Sequence, residues 1–140
     1  MQITSASESH TAEIAATFAR EIVPPAIIFL HGTLGMGKTV FARSLIRALT
    51  GDPELDVPSP TFTLVQIYDT PKAPLWHFDL YRLKDPEEIY ELGWEEALDG
   101  NIVLVEWPER LGPLAPANVT NITLSPVPDN PDARQIEIAP

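Results

Sequence analysis

The sequence has 140 residues, with 9 Lys plus Arg against 20 Asp plus Glu, a net charge of −11, 44 % apolar residues and no cysteine. That length and apolar share suit one globular domain over residues 1–140. The acidity argues against a chain that grips a nucleic-acid backbone by itself, and the lack of cysteine excludes disulfides, thiolate nucleophiles and Cys-ligated metals.

In chain order, Ser7 to Val23 reads as a first helix, capped by Ser7 or Ser9, with Ile14, Ala15, Phe18, Ala19 and Ile22 on one face and Pro24 and Pro25 ending it. Ala26 to His31 is a short continuous apolar run, as in a strand buried on both faces. A glycine-rich turn leads into a helix from Lys38 to Thr50, with Gly51 at its C-terminal cap. Thr63 to Asp69 and Leu75 to Tyr81 read as strands joined by a hairpin loop. Asp85 followed by Pro86, Glu87 and Glu88 is a helix start, Gly93 interrupts that helix, and a second acidic turn runs to Asp99. Asn101 to Trp107 is another buried strand, and Val119 to Ser125 with Arg134 to Ile138 forms a terminal pair. No apolar run approaches the roughly 18 residues of a membrane span. Met1 to Arg20 lacks the order of a secretory signal, so a cytoplasmic protein with no membrane partner is expected. The fold expected is α/β: a three-layer domain resembling P-loop NTPases, with a mixed, mostly parallel sheet and a C-terminal antiparallel strand pair.

Residues 32–39, GTLGMGKT, match G-x-x-x-x-G-K-[ST] at every fixed position, between a buried strand and an amphipathic helix. Glycines let such a loop wrap tightly and turn its N–H groups towards phosphate oxygens, and the helix sets its positive end at the same place. Lys38 then reaches the outer phosphates, and the Thr39 hydroxyl is suited to magnesium. The chemistry expected is binding of ATP or ADP with Mg2+.

Magnesium in such sites also needs a carboxylate at the end of a neighbouring buried strand. Glu106, after the run IVLV, has that position; the plainer alternative is a strand-end acid facing solvent. Asp79 sits between apolar neighbours, its alternative being a structural acid paired with Arg82 or His77. Thr61, in the turn SPTF, is placed like a switch threonine that senses the γ-phosphate, or is a plain turn residue. His77 reads as a core or edge histidine, Trp107 as a packing aromatic, and the run from Asp85 to Asp99 as a solvated helix face or an interaction surface.

Taken together, GTLGMGKT, VPSPTFTLV (57–65), HFDLYRL (77–83), DPEEIYELG (85–93) and VLVEWPERLG (103–112) closely resemble the TsaE family over nearly the whole chain. The resemblance implies a weak ATPase that supports threonylcarbamoyladenosine modification of tRNA by driving turnover of the partner proteins TsaB and TsaD. It implies a phosphate cradle of Leu34, Gly35, Met36, Gly37, Lys38 and Thr39, with magnesium on Thr39 and Glu106. Asp79 takes a second acidic role near the metal or the attacking water, Thr61 a switch-like part, and Trp107 a place near the site. Adenine contacts are implied for Glu8, Thr11 and Arg134. The family loop usually carries an acid where Thr33 stands and a small residue where Met36 stands, a departure that bears on affinity and basal turnover.

The alternatives are a small-molecule kinase, against which the scatter of the arginines stands, and a non-catalytic nucleotide-sensing partner protein. Half of the acidic residues lie between Asp79 and Glu109. Such a face suits a protein that does not hold tRNA stably itself and acts through a partner that does.

Overall fold

The computed structural model describes residues 1–32, 35 and 37–140; the expectations placed on Thr33, Leu34 and Met36 lie outside the described residues. The elements run β1 (Gln2–Ser5), α1 (Glu8–Glu21), β2 (Ala26–His31), α2 (Lys38–Thr50), β3 (Val65–Tyr68), β4 (Leu75–Asp79), a 3₁₀ helix (Pro86–Leu92), α3 (Trp94–Leu98), β5 (Ile102–Glu106), a second 3₁₀ helix (Pro108–Leu114), β6 (Thr120–Val127) and β7 (Asn130–Ala139).

The strands form one sheet in the order β1-β7-β6-β2-β5-β4-β3. The four central strands β6, β2, β5 and β4 are parallel. Antiparallel pairs close both edges, β6 with β7 and β7 with β1 on one side and β4 with β3 on the other. The mixed α/β sheet with an antiparallel C-terminal pair is therefore as expected. Helices α1 and α2 cover one face, packing Ala15, Phe41, Leu45 and Ile46 onto Ile28, Leu30, Leu75, Ile102 and Leu104. The 3₁₀ helices and α3 cover the other, packing Ile89, Trp94 and Leu111 onto Phe78, Val103 and Val105.

Successive strand residues point to opposite faces, and this alternation places the chemistry. Leu75 and Leu104 belong to the core under α1 and α2, so His77 and Asp79 on β4 and Glu106 on β5 fall on that same side. All three are buried, and Asp79 stands beside Glu106 in the parallel register.

Ser7 caps α1 by accepting from the His10 N–H at 3.1 Å. The strand read from Thr63 is shortened to Val65–Tyr68, because Leu64 takes a left-handed φ of 70°. The element after Asp85 winds as 3₁₀ rather than α, with the Asp85 N–H donating to Glu88 Oε1 at 3.1 Å. Strand β1 has no counterpart in the sequence reading: four mostly polar residues carry little periodic signal, and they become a strand by pairing with β7, Ile3 opposite Ile136.

Candidate functional site

The loop after β2 and the end of β5 meet at the C-terminal edge of the parallel strands, where ligands of α/β sheets bind. Two features shape the loop. A Cβ on Gly32 would lie 2.9 Å from the Leu124 carbonyl oxygen of β6, so the loop leaves β2 pressed against its neighbour. Gly37 has φ 90°, a conformation that costs any other residue steric strain, and opens α2 without a side-chain cap. The first N–H groups of α2 thus keep their capacity for an anion.

Gly35, Gly37, Lys38, Thr39, Ser59, Thr61, Asp79, Tyr81, Glu106 and Trp107 line one cleft of about 350 Å³. A groove of similar size between β1 and α1, about 320 Å³ and lined by Ile3, Ile14 and Phe18, holds none of the residues expected at the nucleotide or the metal.

Within the cleft, Lys38 is buried and its Nζ lies 3.7 Å from the centroid of the Trp107 ring. Trp107 is turned there by a left-handed φ of 59°, strain of about 1–3 kcal/mol, and the Tyr81 ring packs on it at 5.0 Å. Burial pulls the Lys38 pKa below its ordinary value, while the charges of Glu106, Glu109 and Asp79 act the other way. Asp79 Oδ1 accepts from the Tyr81 N–H at 3.1 Å and Oδ2 from the Thr61 hydroxyl at 3.1 Å. The Thr61 and Ser59 hydroxyls are 2.7 Å apart, and the Asp79 N–H donates to the Leu64 carbonyl at 3.0 Å. Side chain and backbone together therefore tie the 59–64 turn to β4.

Glu106 does not face solvent: it is 8 % exposed, and its Oε2 lies 2.7 Å from His77 Nε2. Neither partner weighed for Asp79 bonds it, because His77 turns to Glu106 and Arg82 lies 4.3 Å over the exposed Phe62 ring. The donor set of Glu106, Asp79 and the Thr39 hydroxyl is hard oxygen, and magnesium takes one or two carboxylates, substrate phosphates and water rather than a full protein cage. No cluster of three or more His, Cys, Asp or Glu set to hold a metal occurs among the described residues.

Of the three residues expected at adenine, Arg134 reaches the loop, its Nη2 donating to the Gly35 carbonyl at 3.3 Å. The same guanidinium is anchored on the carbonyls of Pro131 and Ala133. Glu8 stands exposed on the first turn of α1, and buried Thr11 bonds Ser5 at 2.6 Å; neither lines the cleft. Sequence reasoning passed over Ser59, Tyr81 and the role of His77. The signal for His77 was the spacing H-F-D, which puts it on the same strand face as Asp79.

The family model described as "Threonylcarbamoyl adenosine biosynthesis protein TsaE" matches residues 5–136 of the chain. The chain is 44 % identical over 124 residues to the "tRNA threonylcarbamoyladenosine biosynthesis protein TsaE" of Rickettsia prowazekii (strain Madrid E), covering 89 % of this chain and 85 % of the relative. It is 41 % identical over 104 residues to the protein of the same description from Aquifex aeolicus (strain VF5), covering 74 % of each. A crystal structure described as that of Bacillus subtilus YdiB superposes with a TM-score of 0.77 at 26 % identity, covering 99 % of this chain and 84 % of that one. No helix of the described residues is long and apolar enough to cross a membrane.

Proposed function

The chain belongs to the TsaE family of tRNA threonylcarbamoyladenosine biosynthesis, and on that premise we propose that it binds ATP with Mg2+ and hydrolyses it slowly to ADP and phosphate. The observation that carries this reading is the meeting of Lys38 and Thr39, from the G-x-x-x-x-G-K-T segment, with Asp79 and Glu106 from two adjacent parallel strands in one cleft. In the proposed reaction Lys38 leaves the Trp107 ring for the outer phosphates, and the loop N–H groups stabilise charge on the same oxygens. Thr39 and Glu106 would hold the magnesium, which would supply neutralisation of phosphate charge. Asp79 orients the attacking water, and its bond to Thr61 links the 59–64 turn to that water. No arginine lines the cleft among the described residues, which favours a slow enzyme that a partner speeds up.

The partners proposed are TsaB and TsaD, with tRNA held by them rather than by this acidic chain. The proposed location, in keeping with tRNA modification, is the cytoplasm. The test is phosphate release from ATP and Mg2+, with and without TsaB and TsaD. Slow release alone, faster release with the partners and loss of both on Glu106→Gln is the expected result. Calorimetry showing no ATP binding would overturn the reading, and binding without phosphate release under either condition would reduce it to a nucleotide sensor.

A further inference from the structure

His77 is 2 % exposed, stands at the centre of β4 and carries no part in the reaction proposed above. An ionised carboxylate only accepts hydrogen bonds, so the 2.7 Å contact makes His77 Nε2 the donor and Glu106 Oε2 the acceptor. Its Nδ1 has no protein partner among the described residues. Behind Glu106 lies a small void of about 20 Å³ lined by His77, Thr39, Arg43 and Ser59, and Glu106 lines both this void and the main cleft. Thr39 and Ser59 also line both spaces, whereas His77 lines the void and not the cleft, so it touches the site through Glu106.

A buried polar ring flanked in the strand by Trp76 and Phe78 needs a reason, since an apolar side chain would pack there without a desolvation cost. We infer that His77 is a positioning residue: its Nε2–H pins one oxygen of Glu106 and thereby fixes the rotamer in which the carboxylate is presented to the magnesium of the nucleotide. This inference rests on the proposed role of Glu106. Hydrogen bonds to ligating carboxylates orient them, and removing such partners typically costs roughly 10–100-fold in metal affinity or activity.

The test compares His77→Gln, His77→Asn and His77→Phe, with Glu106→Gln as reference. Two quantities are read. One is the gain in ATP affinity that Mg2+ confers, by calorimetry with and without the ion; the other is the Mg2+ concentration for half-maximal phosphate release. The longer Gln amide reaches about as far as the imidazole Nε2, whereas the Asn amide stops short of Glu106. The Asn and Phe variants are expected to need about 10–100-fold more Mg2+ and to lose most of its effect on ATP affinity. ATP affinity without Mg2+ should stay unchanged, and the Gln variant should recover much of the wild-type response. Circular dichroism checks folding; if the Phe variant does not fold, the Gln and Asn pair, one methylene apart, carries the comparison. Folded Asn and Phe variants with a wild-type Mg2+ response overturn the inference while leaving the ATPase reading standing, and so do Gln and Asn variants that are equally impaired. If Glu106→Gln itself keeps the Mg2+ response, the metal role of Glu106 fails and the inference with it.

Discussion

Replacing Lys38 with Met should make the nucleotide-free protein more stable while weakening its hold on ATP. Met keeps most of the length and apolar bulk of lysine and lacks the charge. Lys38 is 6 % exposed, and burial depresses its pKa below 10.5 despite the attraction of Glu106, Glu109 and Asp79. A lysine with a depressed folded-state pKa disfavours the folded state at neutral pH, where it is charged both folded and unfolded. As pH rises through the folded value towards 10.5 the folded chain loses its proton first, and wild-type stability recovers relative to the variant. Lys38→Met is therefore expected to be the more stable protein at pH 7, by at most about 1 kcal/mol because it also gives up the contact of the ammonium with the Trp107 ring. For a chain of this size that is roughly 3 °C in Tm. The gain should shrink across the alkaline window below pH 10.5. A charged donor to phosphate contributes about 1.5–3 kcal/mol, so ATP affinity should fall roughly 10- to 150-fold. Thermal melts of both proteins at pH 7 and in the alkaline window, with calorimetric ATP titrations, measure both effects. A lower Tm for the variant at pH 7, or a gain that does not shrink with pH, would refute the account of Lys38 as a buried cation kept for binding.

Further outcomes follow from other contacts. Lys72 Nζ donates to the carbonyls of Ala19 at 2.9 Å, Arg20 at 3.1 Å and Ile22 at 2.6 Å, closing the C-terminal end of α1; Lys72→Ala should cost about 1–2 kcal/mol in urea unfolding. Thr61→Val removes the hydroxyl that bonds Asp79 and Ser59; phosphate release should fall about tenfold for a loss near 1.4 kcal/mol, with ATP affinity by calorimetry little changed. Gly32→Ala forces a Cβ to 2.9 Å from the Leu124 carbonyl oxygen; a loss of about 1–3 kcal/mol in thermal unfolding and weaker ATP binding are expected.

Much of the site was legible because its signals are local. The GTLGMGKT run, the apolar strand before it and an acid at the end of IVLV are properties of neighbouring residues. Contacts made across the sheet were not legible. Thr11, implied at adenine by the family resemblance, bonds Ser5 of β1 in the fold, and Ser5 is itself held in place by a β7 partner 129 residues away. Asp79 had His77 and Arg82 near it in sequence and uses neither, since one turns to the adjacent strand and the other to an exposed ring.

The sequence by itself determined the G-x-x-x-x-G-K-T run, the central strands and their buried faces, and the acids at the strand ends, because period, glycine spacing and apolar runs act over a few residues. Only the tertiary structure decided that His77 backs Glu106, that Thr61 bonds Asp79, that Trp107 covers Lys38 and that Arg134 reaches Gly35. Those contacts depend on which strands lie side by side and in what register, a choice made by the packing of the whole sheet and visible in no single segment of the chain.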